Sequence, residues 1–318
     1  MKLAAKSARA FAPASVANIA VGFDLLGFAA PIAGDTVTVS IAPEPTVTLE
    51  PAKAPGSKGH LPTDPRLNTA TAGLVKLIED RKLKHGFHVS IEKGIPMGSG
   101  LGGSAASSVA GIVAASSLLE KGLTKTEMVY YALIGEAVAS GSFHADNVAP
   151  SLYGGLTLAT LKKNPDNLAI EVTELPIPEN LWCVVLHPNT EVETKMARGI
   201  LKPDISLRAH IEASGRLASF ISGLYKNDLD LIGRHLRDDI VEPQRAHLIQ
   251  GFSNVQKAAL GTSGVLGCSI SGAGPSIFAW TKGERTAESA KVAMLKASPM
   301  ARAWSFAIES GNGARLIP

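Results

Sequence analysis

Ile95-Pro-Met-Gly-Ser-Gly-Leu-Gly-Gly-Ser-Ala-Ala-Ser-Ser108 is the stretch whose reading decides the fold. It lies inside a run with no charged residue, from Gly94 to Leu119. Gly98, Gly100, Gly102 and Gly103 let the backbone turn with φ > 0 and approach a ligand closely. From Ser104 onward, Ala105, Ala106, Ser107, Ser108, Val109, Ile112 and Val113 read as a helix, with apolar residues at helical spacing. A glycine loop feeding a helix N-terminus aims backbone N–H groups and the positive helix end at one point. The stretch is therefore an anion cradle that needs no lysine, and phosphate is the anion it suits.

Two other readings of the loop are weaker. A flexible Gly/Ser linker would not continue into an Ala/Val/Ile helix. Gly98, Gly100 and Gly103 also satisfy G-x-G-x-x-G, with Glu120 at a dinucleotide-like distance beyond. That fingerprint should follow directly from a buried strand. Here Lys93-Gly94-Ile95-Pro96 precedes it, and proline cannot serve a central strand. No G-K-[ST] follows, so the loop is not a Walker A loop either. A kinase-like phosphate loop of another type remains.

The bulk properties narrow the classes. A chain of 318 residues accommodates two domains, each large enough for its own core. A net charge of +3 with 5% aromatic residues, and no basic cluster interleaved with aromatics, argues against nucleic-acid binding. The longest charge-free run is dominated by Gly, Ser and Ala, a poor membrane span. Met1 to Ala10 carries Lys2, Lys6 and Arg9 without the apolar run of a signal peptide. Cys183 and Cys268 lie in apolar contexts and read as free thiols of a reducing cytoplasm rather than a disulfide. A soluble, cytoplasmic protein is expected.

Along the chain, Asp35 to Ile41 alternates as a strand, and Pro43 to Pro65 reads as an exposed excursion. Asn68 to Leu83 reads as a helix and Phe87 to Ile91 as the strand entering the loop. Thr124 to Ala139 is a helix opened by a capping-box spacing, Thr124 with Glu127. His144, Asp146 and Asn147 form a polar knot that reads as a site loop or, by composition alone, equally as a capped turn. After a strand from Gly155 to Leu161 the chain crosses near Lys162 to Asn167, dividing it into 1–164 and 165–318. The second half offers strands at Ala169–Leu175 and Leu181–His187, then one helical turn carrying Thr194 and Arg198. Helices follow over Ser206–Tyr225, Asp228–Ile240 and His247–Ala259, then strand, glycine turn and strand from Gly264 to Trp280. A helix over Thr286–Lys296 and strands at Ser305–Ile308 and Ala314–Ile317 close the chain. Strands alternate with helices in both halves, so a two-domain α+β or α/β architecture is expected.

Two carboxylates stand out. Asp24 is the only charge between Phe11 and Ile32, and burying it is costly unless something pairs with it. It is either a turn residue or a receiver for a ligand ammonium or hydroxyl. Glu136 has mostly apolar or small neighbours at helical spacing, which puts it on a buried stripe. A buried carboxylate needs a cation, either a metal ion or an arginine.

Three segments together resemble the GHMP kinases: Phe11–Gly27 with Pro13-Ala-Ser-Val-Ala-Asn18 and Gly22-Phe-Asp24, the loop Pro96–Ala106, and Ser271-Gly-Ala-Gly-Pro-Ser276. Their order and spacing fit, and the resemblance covers the whole chain. Within that family the chain is similar to the homoserine kinases at Gly135-Glu136, Ser142–Pro150, Thr194–Arg198 with Leu201, and Glu242–Arg245. The resemblance implies an α+β fold of two domains, an N-terminal α/β sandwich and a C-terminal ferredoxin-like domain. It implies transfer of the ATP γ-phosphate to the side-chain hydroxyl of L-homoserine, for threonine synthesis, and a homodimer.

It also assigns residues. Pro96, Met97, Gly98, Ser99, Gly100, Leu101, Gly102, Gly103, Ser104, Ala105 and Ala106 would wrap the ATP phosphates. Ser104 and Glu136 would hold Mg²⁺. Asn18, Asp24, His144, Asn147, Thr194, Arg198 and Arg245 would surround homoserine, with Asp24 for its ammonium and the arginines for its carboxylate. Many GHMP kinases place an aspartate base near Asn147. An amide is no useful proton acceptor, so catalysis by positioning is expected, with Asp146 as the rival base.

Two departures from the family pattern matter. Gly103 replaces a usual serine, which leaves Ser104 as the loop hydroxyl placed for the metal. Ala20-Val21 replaces a common Gly-Pro, a change in loop stiffness more than in chemistry. Competing readings are a mevalonate- or shikimate-type kinase, a non-catalytic regulatory relative, and a dinucleotide oxidoreductase. Adenine contacts have only Asn68 and Thr69 as candidates. Subunit number and inhibition by threonine leave no pattern in the chain.

Overall fold

The computed structural model describes residues 6–55, 60–164 and 167–318. The expected excursion over Pro43–Pro65 lies partly outside these residues. The first half runs β1 (Ser7–Ala17), β2 (Leu26–Ala42), β3 (Val47–Leu49), α1 (Ala72–Arg81) and β4 (Gly86–Glu92). It continues through α2 (Gly103–Leu118), α3 (Lys125–Ser140), α4 (Ala145–Tyr153), β5 (Leu156–Asn164) and β6 (Asn167–Leu175). β2 is long enough to serve two partners on one side: β4 along Thr36–Ala42 and β5 along Leu26–Phe28. β1 runs antiparallel to β2 over its whole length.

β1 is invisible to strand propensity because it is built on alanine. Ala10, Ala12 and Ala14 occupy alternate positions and are all fully buried. Their small side chains let α2 lie close to β1 and β2, with α3 on its far side. This explains why α2, made of Gly, Ala, Ser and Val, is buried on almost every face. Its N-terminus is thereby fixed at the edge of the sheet.

The second half contains β7 (Leu181–His187), α5 (Thr194–Gly199), α6 (Leu207–Tyr225), α7 (Leu229–His235), α8 (Glu242–Arg245) and α9 (Phe252–Leu260). β8 (Val265–Ile270), β9 (Ile277–Lys282), α10 (Gly283–Ala297), β10 (Arg302–Ala307) and β11 (Arg315–Ile317) complete it. The strands form an antiparallel sheet in the order β10-β7-β9-β8, the ferredoxin-like order. β11 returns to pair with β1 in the first sheet. Phe28 on β2 meets Phe278 and Trp280 on β9 edge-on, at centroid distances of 6.2 and 5.7 Å. Such pairs add about 0.5–1.5 kcal/mol each beyond area burial. The aromatic seam joins the two sheets and fixes the groove between them.

Several expected boundaries move. The division at 164/165 falls on residues 165 and 166, outside those described. β6 beyond it still pairs along β5, so the change of sheet comes between Leu175 and Leu181. Of the polar run that reads as a crossover, Lys162–Asn164 belongs to β5 and Asn167 to β6. The helix expected over Asn68–Leu83 begins at Ala72, because Asn68 spends its side chain on Pro62 O and the Ala70 N–H in a turn. The helix expected to reach Ile240 stops at His235. There the Asp238 carboxylate collects the N–H groups of Ile240, Val241 and Glu242, each at 2.8 Å.

Candidate active site

The glycine loop is stretched between the two sheets, and its carbonyl groups from Gly98 to Gly103 are engaged elsewhere. Val192 N–H donates to Gly98 O at 3.1 Å, and Ser276 Oγ donates to Ser99 O at 2.6 Å. Ser271 Oγ donates to Gly100 O at 2.6 Å, and Ser15 N–H to Leu101 O at 3.1 Å. Gly102 O accepts from the Ala106 N–H, and Gly103 O from Lys93 Nζ, at 2.9 and 2.8 Å. With six consecutive carbonyls tied down, the N–H groups of the loop and of the first α2 turn are left for an anion. The Ser271–Ser276 turn thus acts as a clamp on the loop from the opposite sheet.

Two glycines are required by space as well as by backbone angle. At Gly102, φ is +65°, and a Cβ there would stand 2.1 Å from Ser15 Oγ and 2.8 Å from Asn147 Oδ1. At Gly100, φ is +73°, and a Cβ would meet Gly274 O and Ser271 O at 2.6 Å. Gly103 differs: it is the first residue of α2 and adopts no positive φ.

The cradle is not free of lysine, as the loop alone suggested. Lys93 lies beneath it, 5% exposed, paired with the fully buried Asp35 of β2. Asp35 also accepts from Ser107 Oγ at 2.6 Å and from the Gly94 and Ile95 N–H groups at 3.0 and 3.2 Å. Lys93 reaches Gly103 O and Ser107 Oγ at 2.8 and 3.0 Å. One carboxylate therefore anchors the entry of the loop and the first turns of the helix after it. A signal existed: Asp35 is the only charge between Asp24 and Glu44, the same argument that singled out Asp24.

A cavity of about 580 Å³ opens over the loop. Of the loop residues, Pro96, Met97, Gly98, Ser99, Gly100, Gly102, Gly103 and Ser104 line it. Leu101, Ala105 and Ala106 do not; their side chains are buried in the core, since a loop turning into a buried helix must place some apolar groups inward. Asn18, Asp24, Glu136, His144, Asp146, Asn147, Thr194, Arg198 and Arg245 line the remainder. These residues, far apart in the chain, share one chamber. Asn68 and Thr69 also border it.

Glu136 lies on the buried face of α3, 3% exposed, as its helical neighbours required. Ser104 Oγ is 3.4 Å from its Oε1 and Ser140 Oγ 3.1 Å from its Oε2. His144 Nδ1 stands 3.0 Å from Glu136 Oε1, and His144 Nε2 stands 3.2 Å from an Arg198 NH2 group. Because arginine can only donate, the ring satisfies both neighbours with its proton on Nδ1. Burial opposes charging the ring, but the bond to Glu136 and its charge outweigh it and leave the pKa above its ordinary value. Arg198 NH2 continues to Asp24 Oδ1 at 2.5 Å, across the groove. A relay of hydrogen bonds and ion pairs through Glu136, His144, Arg198 and Asp24 spans the chamber floor.

The polar knot is not a loop. His144 is the N-cap of α4, and Asp146 and Asn147 occupy its first turn. Asn147 Oδ1 accepts from Ser15 Oγ at 2.9 Å, so its amide N–H₂ is the end left for a ligand. Asp146 is 2% exposed, and its Oδ1 has no hydrogen-bond partner among the described residues. Burial pushes its carboxyl up to about 7, with Asp24 and Glu136 adding to the rise and His144 and Arg198 opposing it.

Arg245 is 3% exposed and, among the described residues, bonds only to carbonyl groups, Ala197 O at 3.0 Å and Gly272 O at 3.2 Å. A buried guanidinium without a carboxylate partner is poised for an anion. Asn18 is committed to the scaffold: its Nδ2 donates to Gly272 O and its Oδ1 accepts from the Asp24 N–H. Thr194 opens α5 and forms part of the chamber wall.

Comparisons with known proteins agree with this architecture. Residues 68–155 match the GHMP kinases N terminal domain and residues 220–299 the GHMP kinases C terminal domain. A homoserine kinase of Xylella fastidiosa is 45% identical over 99% of this chain and 95% of its own length. One from Chlorobium phaeovibrioides is 42% identical, with 92% of each chain covered. The crystal structure of homoserine kinase from Cytophaga hutchinsonii superposes with a TM-score of 0.89 at 39% identity, covering 100% of this chain and 99% of that one. The mevalonate kinase of L. major, solved with R-mevalonate, shares the fold at a TM-score of 0.70 and 16% identity, covering 98% and 99% of the two chains. The chain belongs to the GHMP kinases and, within them, to the homoserine kinase family.

Proposed function

We propose that this protein transfers the γ-phosphoryl group of ATP to the side-chain hydroxyl of L-homoserine, giving O-phospho-L-homoserine for threonine synthesis. One observation carries the reading: an amide cradle for phosphates and a pair of opposite charges, Asp24 and Arg198, face the same cavity. Asp24 would take the substrate ammonium, while Arg198 and Arg245 would take its carboxylate. Each charge of the arriving zwitterion replaces a partner in the Asp24–Arg198 pair, so neither side chain is left unpaired. Mevalonate and shikimate carry a carboxylate but no ammonium, and would strand Asp24.

Ser104 and Glu136 suit Mg²⁺: a hydroxyl and a carboxylate, both hard oxygen donors, converge at the helix end of the cradle. Among the described residues no cluster of three or more His, Cys, Asp or Glu could hold a metal alone. When bound, Mg²⁺ would neutralise charge on the phosphate oxygens.

The chain's own groups do the positioning. The loop amides and the α2 N-terminus bind the phosphates, Lys93 sets the loop's base, and Asn147 offers its N–H₂ where the two substrates meet. A loose phosphoryl-transfer transition state needs alignment more than a strong base. A second reading makes Asp146 the proton acceptor, favoured by its unpartnered Oδ1 and a pKa of about 7.

No described helix is long and apolar enough to cross a membrane. A cytoplasmic location belongs to this proposal and is supported by the free, buried thiols of Cys183 and Cys268. A homodimer also belongs to it, and sedimentation of the purified protein tests it. Coupled ADP release over homoserine, serine, threonine, mevalonate and shikimate tests the function: only homoserine should give substantial turnover. Preference for mevalonate or shikimate, or ATP binding without turnover of any acceptor, would refute it.

A further inference from the structure

Phe23 stands between two residues already given roles, and its ring does something neither of them can. Arg198 Cζ lies 5.4 Å from the ring centroid and Arg245 Cζ lies 5.2 Å from it. The two arginines come from α5 and α8, whereas Phe23 belongs to the β1–β2 connection on the opposite sheet. The ring also borders the chamber. Two guanidinium groups converging on one spot repel each other. Burial holds the Arg245 pKa below its ordinary value, and the Arg198 charge adds to that.

The backbone around Phe23 is held in costly conformations. Asn18, Ile19, Ala20 and Asp24 have φ of 72°, 43°, 55° and 60°. For a β-branched residue such as Ile19 this region is an outlier, and such strain persists only where surrounding bonds enforce it. Those bonds are present. Gly22 N–H donates to Asn18 O at 2.8 Å, Asp24 N–H to Asn18 Oδ1 at 3.1 Å, and Leu25 and Leu26 N–H groups to Gly22 O at 2.9 Å. The segment presents a ring and a carboxylate to the same pair of arginines.

We propose that Phe23 is a positioning residue for the substrate carboxylate, its ring face holding Arg198 and Arg245 side by side. The negative face of an aromatic ring attracts both cations, and the attraction strengthens as water is excluded. Held this way, the two planar groups present N–H donors to one carboxylate without first having to be gathered. A leucine would fill similar volume but offer no such face. The inference rests on the reading that the chamber receives an amino acid.

The test compares Phe23→Leu, which removes the ring, with Phe23→Tyr, which keeps it. KM for L-homoserine should rise on the order of tenfold in Phe23→Leu, the scale of a partly desolvated cation–π contact. Its kcat, KM for ATP and thermal midpoint should stay near wild type, and Phe23→Tyr should stay within about threefold in homoserine KM. An unchanged homoserine KM in Phe23→Leu overturns the inference. So does equal impairment of both variants, or a rise in both KM values with a fallen thermal midpoint, which would mark a merely structural role. Wild-type protein without homoserine turnover overturns the proposed function and this inference together. Wild-type turnover with an indifferent Phe23→Leu overturns this inference alone.

Discussion

Replacing Asp35 by asparagine should be among the most damaging changes to this protein that touch no substrate. Asp35 is fully buried and is, among the described residues, the only anion paired with Lys93, itself 5% exposed. Asparagine could still accept from the Gly94 and Ile95 N–H groups through its oxygen. Its charge would be gone, and its N–H₂ would face Lys93 Nζ and Ser107 Oγ. The ammonium would keep only Gly103 O and Ser107 Oγ, at 2.8 and 3.0 Å. Breaking a buried pair by removing one partner costs about 3–5 kcal/mol. That is a large share of the roughly 5–15 kcal/mol that holds a native protein together. At about 2–4 °C per kcal/mol for a large domain, the thermal midpoint should fall by roughly 6–20 °C. Urea titration and calorimetry read the loss, and KM for ATP should rise because both ends of the loop hang on this group. Lys93→Met alone should also destabilise, and the double variant should lose less than the sum by about 1–3 kcal/mol. An Asp35→Asn protein within about 0.5 kcal/mol of wild type, or strictly additive losses, would refute the account of the anchor.

Ser104→Ala should lower kcat by about 100-fold while leaving homoserine KM within about threefold, read by steady-state kinetics; unchanged turnover would mean that the wrong hydroxyl has been chosen. Asn147→Ala should lower turnover strongly and Asp146→Asn only slightly, and the reverse order would favour Asp146 as the base. Asp146 also predicts a pH effect on stability: its carboxyl stands at about 7 in the folded chain against an ordinary 3.8. Between those values the folded state holds a proton that the unfolded chain has released, so stability falls as pH rises through that window. Asp146→Asn removes the slope and should gain about 2 kcal/mol on wild type between pH 5 and pH 8 in urea melts, whereas parallel profiles would refute the burial argument.

What could be read from the chain depended on how local the physics is. The glycine turn into a helix after Ile95, the capping box at Thr124 and Glu127, and the buried placement of Glu136 rest on neighbours a few residues away, and the structure has all three. β1 escaped because alanine carries no strand signal, although its period-two burial is plain once α2 lies on it. Asp35–Lys93 joins residues 58 positions apart, and the Phe23 platform joins two sheets. Neither leaves a spacing to detect. Asp146 and Asn147 read as residues of a loop or of a capped turn because composition alone does not separate the two, and the packing of α4 against β2 shows a capped helix start. A lone charge in an apolar run was a useful signal: Asp24 is paired with Arg198, and Asp35, passed over as the start of a strand, obeys the same rule with Lys93.

The central claim is that the γ-phosphoryl group reaches the side-chain hydroxyl of an amino acid held by both of its charges. Phosphorus NMR of a reaction containing the protein, ATP, Mg²⁺ and L-homoserine tests it most directly. The account predicts one new phosphomonoester signal, coupled to the protons of the terminal side-chain methylene and growing in step with ADP. ADP formed with only inorganic phosphate, or a phosphate carried on the carboxylate or the amine, would contradict it.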